Sequence, residues 1–269
     1  MNVHTGTVVS GEARLYYETA GSGPAVVFVH AGVADSRMWD LQFAQFSADF
    51  TVVRWDQRGC GKSPRAPGAF TRHQDLRAVL HSLDIARAAV VGASVGGKTA
   101  LDFALTYPDH TAALVLVAPS VSGYQSPRYP SLDAIDAAEE RGDIATAVEL
   151  ELRLWVDGPR RAPDQVEPRI RELVRDMNTL TYQPGPAGEE VQLEQPALRR
   201  LSGILAPTLV VVGDSDQPDR IDLARRVGRD IRGARTAIVP DAAHLVSMER
   251  PQQFNDLVLD FLRGSVLRK

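Results

Sequence analysis

Short, mostly apolar and β-branched runs occupy 25–30 (AVVFVH), 51–55 (TVVRW), 89–92 (AVVG), 113–117 (ALVLV) and 208–212 (TLVVV). Each run is strand-length and β-branched, and none alternates with polar residues, which is what a strand covered on both faces of a parallel sheet requires. Between the runs, 36–48 and 71–83 have helical spacing; in the second, Leu76, Val79, Leu80 and Leu83 recur at intervals of three and four. Strands alternating with helices in this way predict an α/β fold, a mostly parallel central sheet flanked by helices. The two ends differ. Residues 14–19 (RLYYET) alternate and lead into Gly21-Ser22-Gly23-Pro24, as expected of an exposed antiparallel hairpin edge. After the strand-like 236–239, a last helix beyond Pro251 places Phe254, Leu257, Val258, Phe261 and Leu262 on one stripe and should pack on the sheet.

The alternation stops after Pro119, where about eighty residues rich in proline carry helical patterns at 132–141, 144–156 and 166–177 and a Pro/Gly loop at 181–188. The expected organisation is a core in two parts, 1–120 and 203–269, with a helical cap, 121–202, inserted after the sixth strand.

Composition narrows the partners. The formal charge of -4 is spread along the chain without basic runs, so neither nucleic acid nor an anionic membrane is an expected partner. No apolar stretch is long enough for a spanning helix, and no basic flank and apolar segment opens the sequence as a secretory signal would. The single cysteine, Cys60, allows no internal disulfide and suits a cytoplasmic location. A small molecule is the expected partner, with the chain a monomer or homodimer.

Chemistry concentrates at Gly92-Ala93-Ser94-Val95-Gly96-Gly97, which follows a strand-like run and precedes the helix-like 98–107. A serine on a strand-to-helix turn is exposed and strained, and small residues two positions either side let strand and helix approach. A serine hydroxyl needs a base. Of six histidines, His244 lies in a loop between the strand-like 236–239 and the final helix, where it can swing over Ser94; His73 and His81 read as solvated on a charged helix, and His30 as ordering its own loop. The base in turn needs an acid to fix its tautomer. Asp214 and Asp216 both lie just beyond the 208–212 strand and are equal on physical grounds, whereas Asp219 suits the start of the next helix.

Taken together, the serine turn, His30-Ala31-Gly32 followed by Trp39, the stretch 55–63 (WDQRGCGKS) and Ala243-His244 with Glu249-Arg250-Pro251 resemble the α/β-hydrolase superfamily. The resemblance covers nearly the whole chain outside the cap. The family's Gly-x-x-Asp spacing selects Asp216 over Asp214. It also implies an oxyanion hole made by the N–H of Val95 and of Gly32 or Val33, with motif alignment favouring Gly32. Here Ala31 stands where the family usually has glycine. The stretch 55–63 is similar to that of proline iminopeptidases, but their His-Gly-Gly-Pro-Gly loop and the Trp after the nucleophile are missing; Ser94 excludes a dehalogenase aspartate or a dienelactone-type cysteine.

The implied activity is that of a small-molecule esterase or enol-lactonase, with Ser94, His244 and Asp216 as the triad and an acyl-enzyme intermediate. A carbon-carbon bond hydrolase, or a perhydrolase or lyase with the same triad, is the nearest alternative; a slow-turnover ligand receptor on the same fold is the rival from another class. No metal or organic cofactor is expected, since the mechanism needs none and the histidines lack ligand spacing. Selectivity should come from the cap, with Trp155 either facing the pocket or packing under the cap, and from Val33 and Leu245 beside the oxyanion loop and the base.

Overall fold

A computed structural model of the chain describes residues 2–266. Its central sheet has eight strands: β1 (Val3–Ser10), β2 (Ala13–Ala20), β3 (Ala25–Val29), β4 (Thr51–Trp55), β5 (Ala88–Ala93), β6 (Thr111–Val117), β7 (Thr208–Gly213) and β8 (Arg235–Val239). They lie in the order β1-β2-β4-β3-β5-β6-β7-β8, antiparallel from β1 to β4 and parallel from β4 onward. The helices are α1 (Asp40–Phe46), α2 (Arg72–Ser82), α3 (Val95–Thr106), α4 (Pro130–Glu140), α5 (Ile144–Glu151), α6 (Pro168–Thr181), α7 (Pro218–Asp230), α8 (Val246–Glu249) and α9 (Pro251–Val266).

The apolar runs have a direct cause in this arrangement. Side chains alternate across a strand, so Val26 and Phe28 enter one apolar layer with Trp39, Phe46 and Phe254, while Val27 and Val29 enter the opposite layer with Leu76, Leu80 and Leu101. A polar residue in β3 would be buried on either face.

The predicted hairpin exists, but β2 is not the edge. It lies between β1 and β4, and the edge strand is β1, whose side chains are all exposed or half-buried. A strand with no buried face carries little apolar signal, and of β1 only Val8 packs on the core.

Between β6 and β7 the chain forms α4, α5 and α6. The helix expected over 144–156 changes character partway: α5 passes into a π-helical turn, Leu152–Asp157, which holds Trp155. This segment packs in two directions. Ile135, Ala138, Ala147 and Leu154 form a small cluster of its own, while Val148, Leu152, Val156, Val174 and Met177 join the layer containing Trp39 and Phe254.

The stretch 55–63 is a brace. The Asp56 carboxylate accepts from Ser36 N–H and Lys62 N–H, each at 2.8 Å, and Arg58 is paired with buried Asp75 at 2.6 Å. It thereby ties the loop after β3 to the loop after β4. His73 departs from expectation: it is 5% exposed, with Tyr107 a ring contact at 6.1 Å, because the helix that looked solvated turns that position towards α3.

Candidate active site

Ser94 occupies the junction of β5 and α3 with φ 52° and ψ -114°, a backbone conformation that non-glycine residues rarely adopt. The neighbours enforce it. A Cβ on Gly92 would lie 2.2 Å from the Gly96 carbonyl oxygen, and one on Gly96 would lie 2.2 Å from that of Val29, so a side chain at either position would push strand and helix apart. Ser94 N–H donates to Val117 O at 2.9 Å, and Ser94 O accepts from Ser120 N–H at 2.9 Å and Lys98 N–H at 3.1 Å. Fixed on both sides, the strained turn presents its hydroxyl to a cavity of about 300 Å³.

Ala31, Gly32, Val33, Val95, Ser120, Glu151, Trp155, Arg220 and His244 share that cavity with Ser94. His244 is 3% exposed, and its Nδ1 lies 2.8 Å from Oδ2 of Asp216, itself 1% exposed. Gln217 N–H donates to the other Asp216 oxygen at 2.7 Å, fixing the carboxylate plane. With Nδ1–H directed to the carboxylate, the lone pair of His244 is on Nε2. Trp155 lies against the imidazole, ring centroids 4.8 Å apart.

The three aspartates after β7 thus separate. Asp216 meets His244. Asp214 accepts from Asp241 N–H at 2.9 Å and from the Ser215 hydroxyl at 2.9 Å, bracing the loop instead, and Asp219 falls in the first turn of α7. Among the described residues no hydrogen bond joins Ser94 to His244; the two are brought together as walls of one cavity.

The loop after β3 is informative donor by donor. Ala31 N–H and Asp35 N–H contact the sulfurs of Met38 and Met177 at 3.3 and 3.4 Å, and Ala34 N–H donates to Ala31 O at 3.2 Å. Among the described residues this leaves Gly32 and Val33 N–H without an acceptor, beside a cavity that also receives the start of α3 at Val95. Unsatisfied amides at a helix start and an adjacent loop suit a developing anion.

Of the residues expected to meet substrate, Val33 and Trp155 line the cavity, but Leu245 does not. It is 1% exposed and packs in the apolar layer with Val246 and Phe254, because the chain turns inward immediately after His244 to begin α8. Ser120, Glu151 and Arg220 line the cavity without having been singled out in the sequence, since no local pattern marks residues that converge from separate elements. Burial raises the Glu151 carboxyl above its ordinary range, against the hydrogen bonds from Asn178 and Tyr182.

His30 orders its loop as expected. Fully buried, it accepts from Gln57 N–H at Nε2 (2.9 Å), which leaves Nδ1–H to donate to Ala31 O at 2.8 Å, a neutral tautomer. Burial lowers its pKa, and burial followed by nearby Lys98 does the same to His73. Because the folded state holds both rings neutral, protonation favours unfolding. Their contribution is intact above the ordinary histidine pKa of about 6.5 and is lost as pH falls below it towards the folded-state value. Urea midpoints should therefore fall between pH 7 and pH 5, and more gently in His30→Gln, which takes up no proton there; the difference between the two slopes isolates His30 from the carboxyls. Parallel slopes would remove His30 from the account.

The fold has a precedent among known proteins. The chain belongs to the α/β-hydrolase family, whose model matches residues 26–257, and is an enzyme of that family. The 2-hydroxy-6-oxononadienedioate/2-hydroxy-6-oxononatrienedioate hydrolase of Burkholderia vietnamiensis is 28% identical over 94% of this chain and 92% of its own. Est816, an N-acyl homoserine lactone degrading enzyme, matches with TM-score 0.77 and 25% identity over 95% of this chain and 100% of that one. The enol-lactonase of Burkholderia xenovorans LB400 matches with TM-score 0.76 and 25% identity over 96% and 99%.

Proposed function

We propose that this enzyme is a serine hydrolase cleaving an ester or lactone of a small organic molecule through an acyl-enzyme. The observation that carries the proposal is the convergence on one cavity of a strained, half-buried serine and a histidine whose Nδ1 is held by a buried carboxylate. The lactone chemistry of two of the similar structures supports the same substrate class.

In this reading His244 Nε2 takes the Ser94 proton as Oγ attacks the carbonyl carbon. Negative charge then grows on the carbonyl oxygen and is met by the N–H groups of Val95 and Gly32. Asp216 stabilises the imidazolium, which next protonates the leaving alcohol oxygen. Water, deprotonated by the same imidazole, releases the acid and restores Ser94. The mechanism asks for no cofactor. The α4–α6 segment acts as the cap, supplying Trp155 as an apolar wall over the acyl group, and the modest cavity suits a small substrate.

Release of p-nitrophenol from acetate, butyrate and octanoate esters, with intact-protein mass after a rapid acid quench, tests the proposal. Multiple turnovers and an acyl adduct mapped to Ser94 are expected. A well-folded protein that releases no p-nitrophenol from any of them and gains no acyl mass would sink it.

A further inference from the structure

Arg220 is not needed by the hydrolytic steps, yet its side chain forms part of the cavity wall. It is 8% exposed and only partly paired. One terminal nitrogen donates to the Ser126 hydroxyl, while Nε makes no hydrogen bond. The nearest carboxylate oxygen, Oδ2 of Asp219, is 3.5 Å from Nε and also lacks a hydrogen-bond partner, the other Asp219 oxygen being held by the Tyr129 hydroxyl. A buried guanidinium normally uses its two-pronged fork on a carboxylate; here the only ion pair among the described residues is the single 3.5 Å contact to Asp219, so the fork is only partly used.

Its position gives the unused capacity a direction. The guanidinium carbon lies 5.7 Å from the Trp155 ring centroid, and the same ring lies 4.8 Å from His244. Arg220 and His244 thus both border the Trp155 ring on the wall of one cavity, and a substrate lying along the indole with its carbonyl at Ser94 would bring its far end within reach of Arg220. Arg220 also stands in the first turn of the thirteen-residue α7, where the helix dipole adds to the positive field.

We propose that Arg220 is a specificity-determining residue that binds a carboxylate carried by the substrate, so that the preferred ester or lactone is an acidic one. Glu151, the acidic residue on the same cavity wall, has its carboxylate engaged by Asn178 Nδ2 and the Tyr182 hydroxyl. Tyr182 O–H lies 2.7 Å from a Glu139 oxygen and 3.1 Å from a Glu151 oxygen.

The proposal rests on the hydrolase reading for the word substrate, but its test does not need turnover. Calorimetric titration of the Ser94→Ala protein compares 4-acetoxybenzoate with its neutral methyl ester, then repeats both in Ser94→Ala/Arg220→Gln and Ser94→Ala/Arg220→Lys. The acid should bind about tenfold or more tightly than the methyl ester, a preference abolished by Gln and partly kept by Lys. The ratio is internal to each protein, so partial unfolding does not imitate the result, whereas a mere brace for Ser126 would alter stability and leave the ratio alone. Equal affinities in the starting protein, or a preference that survives Arg220→Gln, would overturn the proposal. Failure of the native protein to release p-nitrophenol would count against the hydrolase reading and leave this comparison standing.

Discussion

Ser94→Ala is expected to reduce turnover of any accepted ester by roughly a millionfold, the loss that follows removal of the nucleophile from a serine triad. The folded state should barely change, because alanine fills the same strained turn and the Ser94 hydroxyl makes no hydrogen bond among the described residues. Asp216→Asn should cost about ten-thousandfold, since the amide disturbs the tautomer that leaves Nε2 of His244 free. Asp214→Asn keeps an oxygen to accept from Asp241 N–H and so keeps the brace of the loop, and its rate should stay within about tenfold, far above that of Asp216→Asn. Steady-state kinetics on the three variants, with thermal melts as the control for folding, separate the two aspartates that are equal on physical grounds in the sequence. An Ser94→Ala protein keeping a tenth of native activity would remove Ser94 from the mechanism, and equal losses in the two aspartate variants would remove the distinction between Asp216 and Asp214.

How far the sequence could be read depended on whether a residue's role was local. The buried strands were legible because burial on both faces forces β3, β5, β6 and β7 to be apolar throughout. The serine turn was legible because its steric needs fall on residues within two positions of Ser94. By contrast β1 has no buried face and left almost no pattern, and His73 was misread because a position on a charged helix was judged by its neighbours in sequence rather than by α3. Leu245 next to His244 looked like a substrate contact, but the direction of its side chain is set by the start of α8. Arg220 and Glu151 were invisible for a related reason. They come from α7 and α5, separated by about seventy residues, and only the packing of the inserted helices over the sheet gives them one cavity.

Two glycine-to-alanine changes should move stability in opposite directions. In Gly213→Ala the new methyl carbon would lie 2.0 Å from Ala242 O and 2.4 Å from Ala243 O, both rigid backbone atoms, so the loop after β8 must move away from the end of β7. That seam is also held by Ser215 N–H to Ala242 O at 2.9 Å and Asp214 N–H to Val239 O at 3.0 Å. The cost of such overpacking is about 1–3 kcal/mol or more. Asp216 stands on one side of the seam and His244 on the other, joined across 2.8 Å, so the displacement that relieves the clash also misplaces the base. A shift of about 1 Å is enough for a hundredfold loss in rate. Gly264→Ala, on the exposed side of α9 with nothing within 4 Å of the added carbon, should instead stabilise by about 0.5–1 kcal/mol through helix propensity, at unchanged activity. Urea unfolding and ester kinetics on the pair check both. A Gly213→Ala protein as stable as the native one would mean that the loops yield freely, and the buried Asp216–His244 contact would then owe its geometry to something other than the close approach at Gly213.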